Sequence, residues 1–159
     1  MTTRSGQEVM MKTTTVSFEL ASGLIVVKVR VNGIPQRFVV DTGASHTILT
    51  ARPVTTLALE SHPALGSTVV GAKGSTSATP VTVPSFVWGD VELSDLTLMQ
   101  VAMEHVCGMT GNDVAGVIGY DVLSRFRFTV DYRQRQLVLE PVGLDVPTAP
   151  RRSEIIDDG

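Results

Sequence analysis

The chain has 159 residues, 43% hydrophobic and 18% charged, enough for one domain with its own core. A formal charge of −3 with no run of Lys and Arg argues against a nucleic-acid partner, and the single cysteine, Cys107, forms no internal disulfide and reads as a small buried side chain. Arg4, Glu8 and Lys12 stand where a signal peptide would carry its apolar block, and no apolar run approaches the roughly 20 residues of a membrane helix, so a soluble, cytoplasmic protein with no membrane partner is expected.

Valine, threonine and evenly scattered glycine predict a β-rich chain. Val16, Phe18 and Leu20 alternate with polar neighbours and reach a turn at Ser22-Gly23. The next strand, Leu24 to Val31, places Ile25, Val27, Val29 and Val31 on one face. Asn32-Gly33 is a strong hairpin signal and leads into Phe38-Val39-Val40. From Ala51 to Gly66 periodicity fades and Pro53 and Pro63 break any long helix, which predicts a loop with one helical turn around Leu57. Val69 to Val83 reads as a long hairpin with a mobile glycine-rich tip over Gly71, Ala72, Lys73, Gly74 and Ser75. Short strands are expected at 86–88, 91–93 and 96–102, then Gly116-Val117-Ile118-Gly119 as a buried apolar pair between glycines. Asp121 is placed to cap one short helix over 122–126. Phe126 to Val130 and Leu137 to Leu139 form a final pair of strands around a turn at 132–135. The expected organisation is a flexible segment 1–15, a folded domain 16–140 and a disordered tail 141–159, rich in proline and charge.

One residue stands out chemically. Asp41 follows three apolar strand residues and precedes Thr42-Gly43-Ala44-Ser45. A carboxylate at the end of a buried strand is costly to desolvate unless something shares its charge or proton. The bland alternative is an Asx-turn, in which the Asp side chain only bonds the backbone of the following turn. His46, His62, His105 and Cys107 lack the paired short spacing of zinc ligands, and Ser45 and Ser124 lack a nucleophile-elbow context. No metal and no cofactor is expected.

The ordered set apolar-apolar-Asp41-Thr42-Gly43-Ala44, glycine-tipped hairpin, Val117-Ile118-Gly119 and short helix resembles the retropepsin-like aspartic proteases over about Val16 to Glu140. The resemblance implies an all-β fold: a small closed barrel with a flap hairpin and one short helix, assembled as a two-fold homodimer. It implies an aspartic endopeptidase in which Asp41 is catalytic, Thr42 to Ser45 form the active-site loop, 71–75 form the flap, and Val117, Ile118, Gly119 and Asp121 support the loop. Two carboxyls sharing one proton can activate water and polarise a peptide carbonyl. The chain has no second Asp-Thr-Gly or Asp-Ser-Gly, so the second carboxyl must come from another copy of the chain. The implied partners are therefore the chain itself and an extended peptide.

Two departures qualify the resemblance. Ala44 matches the retroviral form; pepsin-like relatives carry a hydroxyl there that supports the ionised carboxylate, so its absence implies a less acidic working range. Retroviral enzymes carry an acid at the Ser45 position and an arginine at the Tyr120 position, and both are neutral here. A catalytically silent dimeric peptide-binding module with the same fold is the alternative.

Overall fold

The computed structural model describes residues 12–71, 74–102 and 113–142. Ala72 and Lys73 of the expected flap tip, Cys107 and His105 lie outside the described residues. The elements in chain order are β1 (Thr14–Ser17), β2 (Glu19–Ala21), β3 (Leu24–Val31), β4 (Ile34–Val40), β5 (Ile48–Leu49), α1 (Ala51–Thr56), β6 (Glu60–Ser61), a 3-10 turn (Pro63–Leu65), β7 (Ser67–Gly71), β8 (Gly74–Trp88), β9 (Val91–Gln100), β10 (Val114–Ile118), α2 (Tyr120–Leu123), β11 (Phe126–Asp131) and β12 (Gln136–Pro141).

Strands β3-β4-β10-β5-β9-β8 follow one another by hydrogen bonding, and β8 returns to β3 through Arg30↔Val87 and Val31↔Phe86. The six strands therefore close on themselves, which is the small closed barrel that the resemblance implies. A separate three-stranded sheet, β1-β12-β11, lies beside it. The β3–β4 turn forms at Asn32-Gly33 as expected, with φ of 52° and 83°, the two left-handed residues that a twisted two-residue hairpin requires.

The barrel interior is filled by Phe38, Phe86, Trp88, Val27, Val29, Val31, Leu49, Leu98 and Ile118 among others, all buried. Phe38 and Phe86 meet edge to face at 5.8 Å, worth about 0.5–1.5 kcal/mol beyond the area they bury. A second, smaller cluster holds Val26, Val39, Ala78, Val101, Val114 and Val117, with Ala44, Ile48 and Met99 packed against it. Alternation along the strands separates the two: Val39 and Val117 face one way, Phe38 and Ile118 the other.

Several expectations are corrected. The helical turn is α1, ahead of Leu57, and it contains Pro53 as its third residue; a first-turn proline has no backbone bond to lose. The short strands expected at 86–88, 91–93 and 96–102 merge into two long ones, β8, which also contains the outgoing limb of the hairpin, and β9. Pro84 falls where β8–β9 pairing skips a step, opposite Asp95, whose φ is 54°, so the missing N–H leaves no gap in a ladder. Thr14 and Thr15, assigned to the flexible N-terminal segment, belong to β1, paired with Leu139 and Val138. Thr14 is also buried, its hydroxyl bonded to the Asp90 carboxylate at 3.3 Å.

β4 and β10 run parallel, from Arg37↔Val114 to Val40↔Ile118. Beneath their start Arg37 bridges Glu19 on β2 at 2.8 Å and Asp113 at 2.5 Å. The Arg37 hydrogen bond holds the Asp113 carboxyl below its ordinary value of 3.8, against a smaller desolvation effect in the other direction. A depressed carboxyl contributes stability above its unfolded value and loses it as pH falls through the folded one. Because Asp113 is largely exposed, the contribution is about a few tenths of a kcal/mol. Arg37→Met should raise the Asp113 midpoint in an NMR titration and remove that part of the acid dependence; an unmoved midpoint would show that the pair does not persist in solution.

Gly116 is where β5 presses onto β10, and a Cβ placed there would overlap the Ile48 carbonyl oxygen. Backbone cannot yield as a flexible side chain can, so Gly116→Ala should cost about 3 kcal/mol or more. A lower denaturant midpoint would register this, and an unchanged one would contradict the crowding.

Candidate active site

Asp41 sits at the mouth of the parallel β4–β10 pair. Its N–H donates to the Ile118 carbonyl at 3.0 Å, extending the ladder one step past Val40. The chain then turns: the Ala44 N–H donates to the Asp41 carbonyl at 3.1 Å, and the Gly43 N–H to Asp41 Oδ1 at 2.8 Å. The second bond is the Asx-turn contact considered as the bland alternative, and it occupies one carboxylate oxygen. Asp41, Thr42, Gly43 and Ser45 are exposed and Ala44 is half-buried. By strand alternation Asp41 shares the face of Val39, the face of the second apolar cluster.

The loop is held from behind by Thr47, a residue the sequence did not single out. It is fully buried, and a buried hydroxyl is expensive unless both its capacities are used. Thr47 Oγ1 donates to Asp121 Oδ1 at 2.5 Å and accepts the Gly119 N–H at 3.0 Å, while the Thr47 N–H donates to the same carboxylate oxygen at 2.9 Å. The Tyr120 N–H donates to the Ala44 carbonyl at 2.8 Å. A Cβ on Gly119 would lie 2.5 Å from the His46 carbonyl oxygen and 2.7 Å from that of Ala44, so only glycine lets the loop backbone come this close.

Asp121 is thus corrected in role. It lies inside α2, whose N-cap is Gly119 with no side-chain cap bond, because its carboxylate is engaged by Thr47. Val117 and Ile118, expected to pack behind the Asp loop, take opposite faces: Ile118 enters the barrel interior and Val117 joins the second cluster, against which Ala44 packs. Of the expected flap, Gly71 pairs with Gly74 and Val70 with Ser75, completing the β7–β8 hairpin from Ser67↔Ala78 upward. The side chains at the positions of the retroviral acid and arginine take no part in the bracing described above: Ser45 Oγ lies 2.9 Å from His46 Nδ1, and Tyr120 is 64% exposed. Among the described residues no group of three or more His, Cys, Asp or Glu side chains could hold a metal ion.

A glycine-braced Asp-Thr-Gly loop at the mouth of a closed barrel defines a retropepsin-like aspartic protease fold, and a solved structure of that fold aligns with it at a TM-score of 0.58. A retropepsin-like aspartic protease from Rickettsia conorii aligns with 82% of this chain and 100% of its own at a TM-score of 0.58 and 24% identity. EIAV protease, in complex with the inhibitor HBY-793, aligns with 62% of this chain and 84% of its own at 0.48 and 16%. The retroviral protease-like domain of Ddi1 from Leishmania major aligns with 78% and 98% at 0.48 and 14%. No curated protein matches the sequence. Residues 27–125 match the family described as "gag-polyprotein putative aspartyl protease", and the chain belongs to that family.

Thr47→Val keeps the shape of the side chain and removes the hydroxyl, leaving the Gly119 N–H without its acceptor and depriving Asp121 of a donor. It should destabilise the fold by about 1–3 kcal/mol, read as a lower urea midpoint with an unchanged slope. A midpoint equal to wild type would mean that the hydroxyl does not brace the loop.

Proposed function

We propose that this protein is an aspartic endopeptidase working as a two-fold homodimer, with Asp41 of each copy meeting at the axis. The observation that carries the reading is the placement of Asp41, an exposed carboxylate on a rigid loop of a family of aspartyl proteases. A single chain supplies one such loop, and closed two-fold symmetry supplies the second.

Two carboxyls a few ångströms apart cannot both ionise easily, so the pair keeps one proton and titrates as a unit. The ionised member takes a proton from a water molecule as that water attacks the peptide carbonyl carbon. The protonated member donates to the carbonyl oxygen, giving a tetrahedral diol. Collapse of the diol returns a proton to the departing nitrogen and breaks the C–N bond. The Gly43 N–H bond to Oδ1 fixes the carboxylate plane within each subunit, leaving Oδ2 for the shared proton and water.

The second apolar cluster supports an extended peptide with apolar side chains as the substrate. Ala44 and Ile48, half-buried and packed against the cluster that holds Val39 and Val117, lie on the Asp41 side of the sheet and offer aliphatic surface beside the site of attack. The β7–β8 hairpin is the element suited to close over the peptide, adding backbone hydrogen bonds to an extended strand and excluding water.

Asp41→Asn removes the proton chemistry with little change of shape. It should abolish cleavage of an unbiased peptide pool while the dimer persists in sedimentation; continued cleavage would eliminate the mechanism. Mixing Asp41→Asn subunits into wild type under verified exchange should lower activity through inactive heterodimers, whereas an unchanged rate would exclude a shared site. Peptide retention without turnover by both forms would identify the silent binding module instead.

A further inference from the structure

The β3–β4 turn does more than reverse the chain. Strands β3 and β8 close the barrel through Arg30↔Val87 and Val31↔Phe86, and Asn32 prolongs that seam by one residue. Its N–H donates to the Ser85 carbonyl at 2.9 Å, and the Ser85 N–H donates back to Asn32 Oδ1 at 3.3 Å. The side-chain amide of Asn32 is therefore held by its oxygen, next to an exposed glycine.

This arrangement makes the amide carbon of Asn32 reactive. The Ser85 N–H draws electrons from Cγ and points at the oxygen on which negative charge would build if a nucleophile added, the arrangement that lowers barriers in acyl transfer. The nucleophile is the next nitrogen in the chain. The Gly33 N–H donates to no group among the described residues, and a Cβ built on Gly33 would meet nothing within 4 Å, so neither a competing bond nor a neighbour obstructs ring closure. Glycine also opposes least the backbone swing that brings its nitrogen to Cγ. The chain's other asparagine, Asn112, precedes Asp113 and lacks such a neighbour.

We propose that Asn32 is a self-modification site at the barrel seam, converted without an enzyme to aspartate and isoaspartate. The Gly33 nitrogen forms a bond to Cγ, the Cγ–NH2 bond breaks, and the amide proton leaves with that nitrogen as ammonia, giving a cyclic succinimide. Water then opens the ring at either of its carbonyls. Opening at Cγ gives aspartate, which keeps the turn and still offers an oxygen to the Ser85 N–H. Opening at the main-chain carbonyl gives isoaspartate, which inserts an extra carbon into the backbone of a turn that requires two left-handed residues. That product draws the turn away from Ser85 and loosens the closure. The modification is independent of the endopeptidase reading.

The test follows the full-length folded protein in neutral buffer at physiological temperature, beside a synthetic peptide spanning Val31 to Arg37. Tryptic cleavage after Arg30 and Arg37 isolates the same stretch from the protein, and mass spectrometry reads the exchange of NH2 for OH. Asn32 in the fold should convert at least as fast as in the peptide and up to roughly tenfold faster, with Asn112 lagging behind. Conversion slower in the fold than in the peptide, or first at Asn112, would overturn the proposal. Gly33→Ala should slow the reaction by roughly tenfold, and the peptide with the same change supplies this comparison if the variant fails to fold; an unhindered reaction in either would exclude the Gly33 nitrogen as nucleophile. The isoaspartate fraction, separated chromatographically, should show a lower urea midpoint than fresh protein, while Asn32→Asp stays close to it. An isoaspartate fraction as stable as fresh protein would overturn the loosening of the seam.

Discussion

A buried threonine hydroxyl is the interaction on which the site depends. Thr47 joins three stretches distant in sequence: the loop after β4, the glycine that ends β10 and the first turn of α2. A hydroxyl in that position is satisfied only if Asp121 and the Gly119 N–H both arrive, so loop, strand end and helix must be correctly registered at once. Gly116 and Gly119 serve the same registration by absence, leaving room for the Ile48, Ala44 and His46 carbonyls. Asp41 inherits its position from this arrangement. Its own bonds, to Ile118 and Gly43, are local and would fix little if the frame behind them moved.

The barrel closure explains why such a frame can be rigid in a small domain. Strands β4 and β10 are parallel neighbours in the middle of a closed set of six, so neither has a free edge along which to slip. The cost is topological: parallel pairing needs a crossover, and the chain between β4 and β10 is long enough to hold the whole β7–β8–β9 region. That excursion delivers the glycine-tipped hairpin to the same molecule that carries the Asp41 loop.

Much of this was legible in the sequence where one local rule decides. Asn32-Gly33 named its hairpin because only residues tolerant of positive φ fit there, and the apolar run ending in Asp41-Thr42-Gly43 named its loop. Features set by a distant partner were not legible. Pro53 reads as a breaker, yet a helix's first turn tolerates it, just as a skipped ladder step tolerates Pro84. Asp121 reads as a helix cap because its neighbours in sequence say so, but Thr47, far away along the chain, claims its carboxylate. Thr47 itself had one available signal, a β-branched hydroxyl opening the Ile48-Leu49 strand soon after the Asp-Thr-Gly tripeptide, and its meaning depends on burial that no local pattern reports.

The division between Val117 and Ile118 has a consequence for how such a chain can diverge. Ile118 is locked into the barrel interior, and change there is paid in folding. Val117, its immediate neighbour, is also buried but belongs to the smaller cluster, against which Ala44 and Ile48 pack, so a change of aliphatic shape there is felt beside the Asp41 loop rather than in the barrel interior. Neighbouring residues of β10 therefore answer to different packing, Val114 and Val117 to the smaller cluster and Ala115 and Ile118 to the barrel interior, with the alternation reset by the irregular pairing between Val114 and Gly116.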